Sequence, residues 1–138
     1  MILGYILSSQ DGMVIHHEFF PSEQTQETID MDLIGGAISA ISTFTNTTLG
    51  EPLEEFRTAC FKMVVLKQDP LFLSIIATME LGIAKGLGKK YVKLFADALT
   101  NVTLHNRQHC VNAIQTLVEE LAEEINRLNK EAASSSYI

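Results

Sequence analysis

A chain of 138 residues, 46% of them hydrophobic, is long enough for one domain around one core, and its longest apolar runs fall well short of the ~18 residues a membrane span needs. The net charge of −7 sets nucleic acid aside as a partner. Cys60 and Cys110 both sit in apolar surroundings and read as reduced thiols of a cytoplasmic protein. No basic region precedes an apolar stretch at the N-terminus, so no secretion signal is expected.

Residues 2–8 and 13–20 read as strands with two apolar sides. In the first, Leu3, Tyr5 and Leu7 alternate with Ile2, Gly4 and Ile6. In the second, Met13, Ile15 and Phe19 alternate with Val14 and Phe20. Asp11-Gly12 between them has hairpin chemistry, because Asp-Gly tolerates positive φ. Strands apolar on both sides need cover on both faces, so the sheet is expected between helices.

Residues 21–30 form a polar loop in which Thr28 or Asp30 caps the next helix. From residue 31 to about 47, the side chains Leu33, Ile34, Ala37, Ile38, Ile41 and Phe44 fall on one helical stripe. Gly35 and Gly36 each cost such a helix about 1 kcal/mol relative to alanine. Close approach of another backbone would offset that cost; the plainer reading is a tolerated imperfection near the first turn. Gly50 and Pro52 then break the chain.

Residues 53–58 form a short charged strand with Glu54, Glu55 and Arg57, suited to a sheet edge, where charge discourages stray pairing. Residues 61–67 form a stronger strand, with Phe61, Met63 and Val65 opposite Val64 and Leu66. Gln68-Asp69-Pro70 turns the chain into residues 71–78, the most apolar strand and the expected centre of the sheet. Residues 80–102 read as a helix with the stripe Leu87, Tyr91, Leu94, Phe95 and Ala98, loosened early by Gly82, Gly86 and Gly88. A polar break follows. From about residue 108 to 131, Val111, Ile114, Val118, Leu121, Ile125 and Leu128 are spaced 3, 4, 3, 4, 3. That seam is too short to demand a coiled coil, so it is expected to pack on the sheet or on a neighbouring helix. The domain spans residues 1–131, and residues 132–138 read as a flexible tail.

Charge is unevenly spread. Residues 1–61 hold one arginine against nine acids, residues 62–107 seven basic residues against three acids, and residues 108–138 two against five. Much of the basic middle is one strip, Lys85, Lys89, Lys90 and Lys93, opposite the apolar stripe of its helix. It would meet an acidic partner or an anionic membrane surface, the latter at only ~1 kcal/mol per lysine, which gives peripheral contact and not anchoring. The plainer reading is a solvated helix face.

Catalytic and cofactor motifs do not emerge. His105 and His109, four apart, would need a third ligand such as Asp97 or Glu80, and nothing in the spacing supplies it. His16 and His17 fall on opposite sides of one strand. Gly82, Gly86 and Gly88-Lys89-Lys90 do not match the phosphate-loop spacing, and no dinucleotide fingerprint or nucleophile elbow is present. Neither cysteine has a base placed beside it. No enzyme activity, cofactor or metal is therefore expected.

The order β-β-α-β-β-β-α-α, with a strand at the first residues (Ile2-Leu3-Gly4-Tyr5-Ile6-Leu7), an immediate hairpin through Asp11-Gly12 and a three-strand meander over residues 54–78, resembles the longin domain and its roadblock and profilin-like relatives. The resemblance covers residues 1 to about 130. It implies a single-domain α/β protein of the α+β type: a three-layer α/β/α sandwich with a five-stranded antiparallel sheet. Roadblock relatives usually start with a helix, which this chain lacks, so the longin version is favoured. No SNARE helix or membrane anchor follows residue 131, so the domain is expected to stand alone.

The family serves as platforms for small GTPases and in vesicle-traffic machinery, and many members dimerise. The implied partner is a protein, a small GTPase or a second copy, giving a homo- or heterodimer. In longin SNAREs a common docking groove lies between the first helix and the third strand. Here that falls on residues about 33–48 and 53–61, with Leu33, Gly35, Gly36, Ile41, Phe44, Glu54, Phe56 and Arg57 as candidate partner-binding residues. The alternatives are a roadblock-type GTPase-regulating homodimer and a small-molecule sensor. A sensor would need an internal pocket with a few polar groups, and the strands offer only Ser8, Ser74 and Thr78.

Overall fold

In the first hairpin, Gly12 adopts a φ of 92°, the left-handed conformation that glycine accepts at no steric cost. The Ser9 amide donates to the Met13 carbonyl at 2.9 Å, the Gly12 amide donates to the Ser9 carbonyl at 3.1 Å, and the Ser9 hydroxyl binds the Asp11 carboxylate. This turn joins β1 (Ile2–Ser9) to β2 (Val14–Phe19). The coordinates are a computed structural model and describe residues 1–20, 40–41, 45–50, 53–57, 62–78 and 81–135. The remaining elements are β3 (Glu55–Arg57), β4 (Lys62–Gln68), β5 (Leu71–Ala77), α1 (Leu81–Ala98) and α2 (Arg107–Ser135).

The strands form one antiparallel sheet in the order β2-β1-β5-β4-β3. As the apolar pattern of residues 71–78 led one to expect, β5 is central and every residue of it is buried. Among the described residues the short charged strand lies at the edge and pairs with β4 alone.

Two β-bulges alter the side-chain pattern expected from strict alternation. On β1, Ile2 pairs with Ala77 but Gly4 pairs with Ile76, which makes Leu3 an extra residue. Ile2 therefore joins Tyr5 and Leu7 on one face, while Leu3 joins Ile6 on the other. On β2, His16 pairs with Leu7 and Val14 with Ser8, leaving Ile15 extra. Phe20 consequently follows Met13 and Ile15, and Phe19 follows Val14, the reverse of the expected grouping. A bulge inserts one residue into a ladder and so flips the parity of everything beyond it.

Both helices lie on the Ile2–Tyr5–Leu7 face, α1 over β4 and β5 and α2 against β1 and β2. The seam of α2 packs into this core, with Ile114, Leu121 and Ile125 fully buried. Each such side chain is worth about 1.5–3 kcal/mol, so packing more than intrinsic propensity holds the helix. In α1 the buried stripe is Ala84, Leu87, Tyr91, Val92 and Phe95. Leu94, expected in that stripe, is instead 36% exposed, because it lies toward the flank that α1 turns away from the sheet.

The helix ends also differ from the expected ones. α1 stops at Ala98. α2 starts at Arg107, capped by Asn106, whose side-chain oxygen accepts the His109 amide at 3.2 Å. His105 thus sits in the preceding turn and does not share a helix face with His109. α2 runs four residues past Glu131, to Ser135.

On the opposite face of the sheet, Leu3, Ile6, Val14, Ile76, Val65 and Phe72 are also buried. The helix expected over residues 31–47 lies mostly outside the described residues. Within it Ala40 and Ile41 are helical, and Thr45–Leu49 forms a π-helical turn.

Candidate functional site

Part of the surface expected to hold a partner lies among the described residues. Leu33, Gly35, Gly36 and Phe44 lie outside the described residues. Ile41 is helical and half-buried. Glu54, Phe56 and Arg57 come together at the open edge of the sheet, all exposed, with Phe56 at 41%.

Local chemistry explains this edge. β3 is three residues long and pairs with β4 through Glu55–Val64, Phe56–Met63 and Arg57–Lys62. Among the described residues no strand lies beyond its other side. Phe56 shares the face of Met63, whereas Glu55 shares the helical face with Val64. There Glu55 accepts an ion pair from Lys85 of α1 at 2.9 Å and a longer one from Arg57 at 3.6 Å. The Lys85 hydrogen bond, more than any other influence, holds the Glu55 carboxyl below its usual range, and Glu55 in turn raises the Lys85 ammonium.

This contact divides the expected basic strip. Lys85 is tied to the sheet edge, and Lys90 reaches Glu124 of α2 at 3.5 Å while lying 5.3 Å from the Tyr91 ring centre. Lys89 and Lys93 project into solvent and form no ion pair among the described residues. The Tyr91 hydroxyl, and after it Lys90, lower the Glu124 carboxyl, while burial and then Glu124 raise Tyr91. Glu55 and Glu124 did not figure among the expected site residues. Their ties to Lys85 and Lys90 span 30 and 34 positions of sequence, and no local spacing signals such pairs.

Other arrangements carry less chemistry. No three His, Cys, Asp or Glu side chains come together as a metal site among the described residues. Cys110 is buried, and burial raises its thiol, the reverse of an activated nucleophile. A cleft of about 410 Å³ opens between the β4–β5 turn and the end of α1, around Asp69, Asp97 and Thr100. Another of about 320 Å³ opens between α1 and α2 around Tyr91, Glu120 and Arg127. Neither contains the strand hydroxyls that a sensor would use. Ser8 and Ser74 are buried on the opposite face, their hydroxyls without hydrogen-bond partners among the described residues, and Thr78 is exposed. Among the described residues no helix is long and apolar enough to cross a membrane.

No protein-family model matches the chain, and no curated protein matches it in sequence. Solved structures do match its fold. The gliding protein MglB from Thermus thermophilus superposes with a TM-score of 0.53 at 18% identity, over 64% of this chain and 71% of that one. A structure of MglB with a tetrameric arrangement gives 0.54 at 18% identity over the same shares. The chain thus shares the fold of MglB over 64% of its length.

Proposed function

We propose that this chain is a non-enzymatic interaction module of longin/roadblock type, a cytoplasmic platform or regulator for a small GTPase or for trafficking-type machinery. Its partner is held at the surface of residues about 33–61. The observation that carries this reading is the open β3 edge. Among the described residues no strand pairs with the outer side of this charged three-residue strand, and a large aromatic stands exposed beside it. Such an edge accepts a further strand by β-augmentation, with Phe56 as anchor and Glu54 and Arg57 as selective charges. The Lys85–Glu55 pair ties that edge to α1. The fold shared with MglB supports the same reading.

A second reading, a homodimer of roadblock type, has an observation of its own. Glu55-Phe56-Arg57 is self-complementary. Two copies of β3 paired antiparallel about Phe56 place Glu55 of each opposite Arg57 of the other, a favourable cross-strand arrangement. One structural neighbour is itself described in a tetrameric arrangement.

Pull-down of small GTPases loaded with GDP or a GTP analogue, alongside sedimentation of the chain alone, tests and separates the two. Phe56→Asp should weaken association about tenfold or more with little loss of folding, because Phe56 is exposed. Gly36→Leu, which adds bulk in the same expected surface, should act likewise. GTPase capture that survives both changes yet disappears in Lys89→Glu with Lys93→Glu would move the docking face to α1 and overturn the reading.

A further inference from the structure

We propose that the outer face of the α1–α2 layer is a self-docking surface. A second copy of the chain packs there with its α2 over α1 and its α1 over α2, about a two-fold axis running along the groove between the helices. This surface is separate from the β3 edge and stands independently of the function proposed above.

Both helices cover the same face of the sheet, so their outer surfaces point the same way. Those surfaces carry opposite charge side by side. On α1, Lys89 and Lys93 are exposed and unpaired among the described residues; on α2, Glu119, Glu120 and Glu123 are exposed. The helices are antiparallel neighbours joined through residues 99–106, and Lys90–Glu124 marks where they run level. Ile83 and Leu94 stand seven before and four after Lys90, hence on its side of α1. They are exposed at 52% and 36%, beside the groove between the helices.

Charge decides the occupant. An anionic lipid surface attracted to Lys89 and Lys93 would meet the carboxylates of α2 at the same approach. An acidic partner faces the same conflict. A second copy turned about an axis parallel to the helices keeps every residue at its level while exchanging the two stripes. Lys89 and Lys93 then face Glu119 and Glu123 of the other copy twice over, and Ile83 and Leu94 leave water.

The 18 residues of α1 make it about 27 Å long, and helices are about 10 Å across. The two-helix face therefore offers roughly 500 Å² per partner, less than the ~800 Å² of a standard interface. Association should be weak and strongly salt-dependent.

Sedimentation velocity of the full chain, over a wide concentration range at low and high ionic strength, tests the proposal. Three samples decide it: Lys89→Glu with Lys93→Glu, Glu119→Lys with Glu123→Lys, and their equimolar mixture. Circular dichroism checks that each variant folds. Each variant alone should lose the salt-sensitive association step, weakened about tenfold or more. The mixture should recover it, because both stripes are complementary again between unlike copies. An association through β3 persists in both variants and is counted separately. The proposal is overturned if the wild type shows no salt-sensitive step, if the variants keep it, or if the mixture fails to recover it. Binding to anionic vesicles that Lys89→Glu with Lys93→Glu removes, without any self-association, would assign the lysines to a membrane instead.

Discussion

Gly4 lies where β2 runs tightest against β1. An added Cβ would sit 2.7 Å from the Glu18 carbonyl oxygen and 3.1 Å from the Phe19 ring, so even a methyl group must part the two strands. At Gly88 it would strike the Leu66 side chain and lie 3.2 Å from Ile75, because α1 rests directly on β4 and β5 at that point. Gly82 and Gly86 meet nothing within 4 Å. Gly4→Ala and Gly88→Ala should therefore destabilise by about 1–3 kcal/mol through overpacking. Gly82→Ala and Gly86→Ala should each stabilise by about 0.5–1 kcal/mol, through helix propensity and a less flexible unfolded chain. Urea midpoints of the four variants check the contrast. The sequence presents Gly82, Gly86 and Gly88 as equivalent interruptions of one helix, and only the packing beneath Gly88 separates it from the other two.

Elements of regular structure are well marked in the sequence, and the exceptions have identifiable causes. Short apolar runs bounded by turn residues locate β1, β2, β4 and β5. The charge on residues 54–57 places β3 at the edge, and the two-sided apolarity of residues 71–77 places β5 at the centre. Which side chains share a face near Leu3 and Ile15 is not legible, because a bulge is set by pairing between strands and not by composition. For the same reason the place of Glu54, Phe56 and Arg57 beside an exposed edge is legible in their charge, whereas the ties from Lys85 to Glu55 and from Lys90 to Glu124 are not. A further long-range tie joins α2 to the start of β1. The Ile2 amide donates to the Asn129 side-chain oxygen at 2.8 Å, and the Asn129 amide donates to the Ile2 carbonyl at 2.9 Å. The last described bond from the β2 side is Phe20 N–H to the Leu3 carbonyl, so Asn129 serves as strand partner where β2 has ended. Asn129→Leu would leave both backbone groups of Ile2 unpaired, at a cost of about 1–3 kcal/mol, measurable by thermal or urea denaturation.

Across the whole molecule, stability should be graded from the middle of the sheet outward. β5 is paired on both sides and buried throughout, while β3 has three exposed residues and, among the described residues, one neighbouring strand. Hydrogen exchange should find the β5 amides among the slowest and the β3 amides among the fastest. Slow exchange in β3 together with fast exchange in β5 would contradict the strand order. The strand order also has a consequence in time. β1 lies beside β5, so the register from Ile2–Ala77 to Ser9–Leu71 spans more than sixty residues of chain, and the Asn129 bond to Ile2 spans 127. During synthesis β1 emerges early with two apolar faces and only its hairpin partner for company. It then waits through the making of β3, β4, β5, α1 and most of α2 before the Asn129 contact forms. Proteins dominated by such distant contacts fold slowly, and an unsheltered apolar strand is what a chaperone recognises. The nascent chain is therefore expected to need holding until α2 has left the ribosome.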